Sequence, residues 1–205
     1  MICISRAYGA AGEEVGRLTA ERLGYRYLDG EILAHAAEAG GLDAGTVADA
    51  EQRRSLARRL ADAMREGAAI APEAYALMPA QELAVGSRGE DVRRLIRDAI
   101  EQFAGEGRAV IGAHAASHAL AGRDDVLRVL VTASPTTRAT RVADDLAVDE
   151  PVARRQVADA DRARADYLSR FYDVSEERPE QYDVVVNTDL LTPERSADIV
   201  VTAAG

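Results

Sequence analysis

The chain has 205 residues, a formal charge of −10 and 47% apolar residues without a single Trp. The length suits one α/β domain with a small insert, and the acidity argues against nonspecific nucleic-acid binding and against an anionic membrane surface. All 25 basic residues are Arg, so any phosphate clamp must be guanidinium or backbone, a task that suits the planar fork of Arg.

No run nears the roughly 18 apolar residues of a membrane span. Cys3 is the lone cysteine, which leaves no disulfide framework or Cys-rich metal site. The first residues do not read as a signal peptide, and the cytoplasm is the expected compartment.

"MICIS" reads as a buried strand. Residues 12–23 read as a helix: Val15, Leu18 and Leu23 share a face, Glu13 and Glu14 suit its positive end, and Gly24 caps it. "YRYLD" over 25–29 is a second strand, followed by a helix from Gly30 to about Ala39 that stops at Gly40-Gly41. A charged helical stretch is expected over 43–67. Residues 67–89 carry Pro72, Pro79 and three glycines and are expected to be irregular. Residues 90–104 show the clearest helical period, from Val92 through Leu95, Ile96, Ala99 and Ile100 to Phe103.

"RAVIG" (108–112), "VLRVLVTA" (126–133) and "YDVVVNT" (182–188) are three more strands. Helices are expected over 135–146, over 149–171 behind Asp149-Glu150-Pro151, and after Thr192-Pro193. Apolar strands separated by helices imply a parallel sheet covered on both faces. Sites in such folds gather at the carboxyl ends of the strands: here Ser5–Gly12, Asp29, Gly112–His114, Thr132–Arg141 and Asn187.

The stretch "SRAYGAAGEEVG" (5–16) lies at the first of these ends. A standard phosphate loop has Gly, four residues, then Gly-Lys and Ser or Thr. Tyr8, Gly9, Ala10, Ala11 and Gly12 supply the turn, and the helix behind supplies positive potential. Glu13 and Glu14 stand where a cation and a hydroxyl are wanted. On the residues alone, a phosphate site and a plain strand–helix turn are both open.

Later residues decide between them. Asp161, Arg164, Ala165, Tyr167, Phe171, Tyr172, Tyr182, Asp183, Asn187 and Thr188, taken in order, are similar to the pattern of the cytidylate-kinase-like family. Ser5, Arg6, Tyr8, Gly9, Gly12 and Gly16 resemble that family's opening, and Leu23, Gly24, Tyr25, Tyr27, Asp29, Glu31, Ile32 and Leu33 its next segment. The resemblance covers nearly the whole chain. It implies a three-layer α/β fold of the P-loop NTPase type with a five-stranded parallel sheet. A helical acceptor-binding insert would occupy 30–105 and a helical lid 149–180, leaving 1–29, 106–148 and 181–205 as core.

It also implies ATP and Mg²⁺ as cofactors and a nucleotide or other small molecule as acceptor, with phosphoryl transfer as the activity. The competing readings are a catalytically impaired nucleotide-binding pseudokinase and an interaction protein that dimerises through the apolar 67–85. The family carries Arg where this chain has Glu13, and Gly-Arg-Gly where it has Gly112-Ala113-His114.

The candidate residues each have two readings. Arg6 is a phosphate ligand or half of a salt bridge. Asp29 serves an acceptor or caps the next helix. Arg138 and Arg141 face a nucleotide or solvent. On the lid helix, Arg162, Arg164 and Arg170 either close over phosphate or sit on the surface, and Asp161 and Arg164 are spaced to pair with each other. Tyr167 and Asn187 are further candidate contacts. His114 is an acceptor-side residue or an ordinary loop residue. The scattered His35, His114 and His118 suggest no metal site.

Overall fold

The computed structural model describes residues 1–42, 80–112 and 115–205, with the backbone alone over 80–90. The expected helix over 43–67, most of the apolar 67–85, and His114 lie outside the described residues.

Five strands form one all-parallel sheet in the order β2-β3-β1-β4-β5: β1 Ile2–Arg6, β2 Arg26–Leu28, β3 Ala109–Ile111, β4 Leu127–Thr132 and β5 Val184–Asn187. β1 lies between β3 and β4, in register Ile4 with Val129 and Arg6 with Val131. Alternation sends Ile2 and Ile4 to one face and Cys3 and Ser5 to the other. On the first face Ile2, Ile4, Val129, Val131 and Val186 form a core with Val15 of α1 (Gly12–Leu23) and Val200 of α7 (Pro193–Ala203). On the second, Ser5 meets Ser117 of the short α4 (Ala116–Ala119), Oγ to Oγ at 3.3 Å. Cys3 is fully buried, and burial pushes its thiol up to about 12. It is core, not a nucleophile.

α5 (Pro135–Leu146) packs on α6 (Glu150–Tyr172) through Ala139, Val142, Ala153 and Val157. The Ser134 hydroxyl accepts the Thr137 amide at 3.3 Å to start α5, and Thr192 starts α7 in the same way. A 3-10 turn, Pro179–Gln181, precedes β5. α2 (Gly30–Gly40) and most of α3 (Ala80–Glu106) belong to a second compact unit, Glu31–Ala99; the sheet and the remaining helices belong to the first, Met1–Gly30 with Ile100–Gly205. Among the described residues no helix is long and apolar enough to cross a membrane.

One element needs correction. Residues 80–89, expected to be irregular, are the first turns of α3. Gly86 and Gly89 cost about 1 kcal/mol each inside a helix, but Ala80, Gln81, Glu82, Leu83, Ala84 and Arg88 are good helix formers. Pro79 stands just ahead of Ala80 in the sequence and so does not interrupt this helix.

Candidate phosphate-binding site

β1 ends at Arg6, and the chain turns through 7–11 into α1. Two glycines make that turn feasible. Gly9 has φ of +78°, and a Cβ there would lie 2.9 Å from the Arg138 carbonyl oxygen. A Cβ at Gly12 would lie 2.4 Å from the Cβ of Arg6, whose stem crosses the start of α1. Ala11 also has a positive φ, +57°, without being glycine, which stores roughly 1 kcal/mol of strain. No side chain caps the first amides of α1, so that end stays free to meet an anion.

The loop is held from behind by its carbonyls. The buried Arg138, only 5% exposed, donates from Nη1 to Tyr8 O at 3.3 Å and from Nε to Ala133 O at 3.1 Å. Its fork also grips Asp161 of α6, both bonds at 2.8 Å. Arg141 Nη1 reaches Gly9 O at 3.5 Å and Thr188 Oγ1 at 3.0 Å, while its Nη2 donates to Thr188 O at 2.6 Å. Thr188 Oγ1 in turn donates to Ala10 O at 3.0 Å. Carbonyls 8, 9 and 10 are thus each fixed by side chains that follow β4 or β5. Peptide planarity then turns the amides of Gly9 and Ala11 the opposite way, while the Ala10 amide closes the loop onto Ala7 O at 3.0 Å.

The other flank is looser. Arg6 Nη2 meets Asp29 Oδ2 at 3.0 Å, and both side chains are about a quarter exposed. Among the described residues Arg6 Nη1 is buried with no hydrogen-bond partner. Asp29 lies between the end of β2 and the start of α2. Glu13 does not face the loop: Arg17 holds its Oε1 through Nε at 3.1 Å and Nη2 at 3.0 Å, one turn along α1. Arg17 also lies over the Tyr27 ring, 4.8 Å from its centroid. Glu14 is exposed. Tyr8 is 43% exposed beside the turn.

Arg164 is committed elsewhere. Its Nε and Nη2 hold Glu177 at 2.7 and 2.6 Å. Glu177 also accepts from the Tyr182 hydroxyl and lies 3.8 Å from His118 Nε2. The pairing of Asp161 with Arg164 suggested by their spacing does not form; each is drawn to a partner on another segment, because a bidentate fork outweighs an exposed i,i+3 contact. Burial pushes the Glu177 carboxyl up, but the hydrogen bonds from Arg164 and Tyr182, with His118 close by, outweigh it and hold the group well below its ordinary range. Burial and the Glu177 contact push the Tyr182 phenol up.

Arg162 pairs with Asp159 on the exposed side of α6. Tyr167 packs edge-on against Phe171, centroids 4.7 Å apart. Asn187 Oδ1 accepts the Asp189 amide at 2.8 Å. The structure therefore brings Arg6 to Asp29, and Arg138 and Arg141 to the loop. Asp161, Thr188, Glu177 and Arg17 were not singled out for these roles. Thr188 left a trace in the strand-ending Asn-Thr pair, and Asp161 in the family pattern, though with Arg164 as its expected partner.

A family model described as cytidylate kinase-like matches residues 1–190. No curated protein matches the sequence. Among solved structures, an uncharacterised protein of Eubacterium ventriosum superposes with a TM-score of 0.68 at 16% identity, covering 99% of this chain and 96% of that one. A shikimate kinase of Bacteroides thetaiotaomicron superposes with a TM-score of 0.53 at 12% identity, covering 98% and 96%. At these identities the likeness concerns the fold.

Proposed function

This chain belongs to the cytidylate kinase-like family, and from that premise we propose that it is an ATP-dependent phosphotransferase. It would move a phosphoryl group to a nucleoside monophosphate or another small acceptor. The observation that supports this most is the anchoring of three successive loop carbonyls by Arg138, Arg141 and Thr188. The amides of Gly9 and Ala11 opposed to them, with the uncapped start of α1, make a rigid donor set for phosphate.

Phosphoryl transfer asks a protein for position and charge stabilisation, not covalent chemistry. In this reading the loop amides bind the phosphates. Arg6, whose Nη1 lacks a partner, supplies the cation that a Lys supplies elsewhere, and Asp29 orients it. Among the described residues no three metal-ligating side chains converge. Mg²⁺, which would shield phosphate charge when bound, is held in such sites mainly by phosphate and water with one or two carboxylates; the exposed Glu14 in the first turn of α1 would supply one.

The test is turnover: the purified protein with ATP, Mg²⁺ and a panel of nucleoside monophosphates and small hydroxylated acceptors, followed by ADP release. Acceptor-dependent ADP is expected; no turnover with any acceptor overturns the proposal. The engagement of Arg138, Arg141 and Arg164 with internal partners favours a second reading, a nucleotide-binding pseudokinase. That reading expects ATP to raise the melting temperature without turnover.

A further inference from the structure

Asp161 touches no part of the loop, yet it governs the side chain that does. It projects from α6 and is 44% exposed, whereas its partner Arg138 is 6% exposed at the side chain. Both guanidinium nitrogens that grip Asp161 lie at 2.8 Å, and one of them, Nη1, also donates to Tyr8 O. The contact behind it leaves little slack, since the backbone of Gly9 lies directly on the Arg138 carbonyl and Cβ. A buried guanidinium has few alternative partners, so its direction follows the carboxylate that fixes it.

We propose that Asp161 is a positioning residue for the phosphate loop: from α6 it sets the orientation of Arg138 and, through Arg138, the placement of the Tyr8 carbonyl and the loop amides. The placement of α6 and the geometry of the anion site are then a single coupled variable. The proposal rests on reading the loop as a phosphate site, but one arm of its test does not.

That test compares wild type with Asp161→Asn, which keeps the shape and removes the charge. Glu150→Gln, also on α6 and paired with Arg154 on its exposed face, is the control. Two quantities are read: the affinity for a fluorescent ATP analogue, and hydrogen exchange at the Ala10 and Val15 amides, both bonded within the turn. For Asp161→Asn, a loss of roughly tenfold in affinity and a similar rise in exchange at those amides are expected, the usual size for members of one network. Exchange in β1 and β4 stays at its wild-type rate, and the control changes neither reading.

A purely structural Asp161 lowers the melting temperature and leaves turn exchange no faster than the rest of the fold, which overturns the proposal. If Asp161→Asn does not fold, Asp161→Glu, which keeps the charge on a longer stem, serves with a smaller shift in the same direction. If wild type binds no nucleotide, the phosphate-site reading fails while the exchange arm still decides the coupling.

Discussion

The two flanks of the loop are built differently. On the β4–β5 side, Arg138, Arg141 and Thr188 occupy every carbonyl from Tyr8 to Ala10, and Arg138 is buried. On the β2 side the quarter-exposed contact of Arg6 with Asp29 carries the geometry, and among the described residues Arg6 Nη1 has no hydrogen-bond partner. The difference separates tasks. Groups whose hydrogen-bonding capacity is filled internally can hold a shape but have little left for a ligand; a guanidinium with an unfilled donor has something left to offer. The locked flank therefore preorganises, and the open flank is where chemistry has room.

The largest effect is expected from breaking the locked flank. Gly9→Ala forces a side chain into a positive-φ position against the Arg138 carbonyl at 2.9 Å. The cost is about 2–4 kcal/mol from strain and overpacking. At roughly 2–4 °C per kcal/mol in a chain of this size, the melting temperature drops by several degrees, and nucleotide affinity drops with it. Thermal unfolding with and without ATP measures both; a variant that melts normally and binds normally denies the flank its role.

Arg6→Gln acts on the open flank, and its signature is the reverse. A quarter-exposed ion pair is worth under ~1 kcal/mol, so the melting temperature barely moves. If Arg6 meets developing phosphate charge, kcat falls by roughly 10²-fold or more. A parallel loss of stability and activity would instead make Arg6 another scaffold residue and erase the contrast between the flanks.

That contrast was only half legible in the sequence. The strands announced themselves because a parallel sheet buried on both faces demands continuous apolar runs, as in Ala109–Ile111, buried throughout. The loop announced itself through Gly9 and Gly12. The locking contacts left little trace because they end on backbone carbonyls, which every residue carries. Asp161 and Arg138 stand 23 residues apart on two helices; only the packing of α5 on α6 makes them neighbours, whereas local spacing favoured Arg164. Glu177, in an unpatterned turn, carried no signal at all.

Glu177, which holds Arg164 away from the loop, supplies a smaller, pH-dependent test. Its folded-state pKa lies well below its ordinary value of 4.5. A depressed carboxylate contributes stability that is fully present above the unfolded pKa and is lost as pH falls toward the folded one. Wild type should therefore weaken progressively below about pH 4.5. Glu177→Gln leaves Arg164 without its counter-charge and begins about 1–2 kcal/mol less stable at neutral pH, with a flatter acid limb. Denaturant midpoints between pH 3 and 7 give both curves, and parallel curves would show that the Arg164–Glu177 pair does not carry this linkage.

The smallest effect is expected at the residue that looks most damaging in the sequence. Glu13 stands where phosphate loops place a cation, and a carboxylate facing phosphate should repel it. Arg17 turns it back along α1 and neutralises it there, with the guanidinium lying over Tyr27. An exposed i,i+4 pair contributes little, so Glu13→Ala should melt with wild type. Its ATP affinity should stay within about twofold, because a solvated charge already paired one turn away is largely screened. A gain of tenfold or more would mean that Glu13 does repel the ligand, and that the open side of this site extends past Arg6 onto the helix itself.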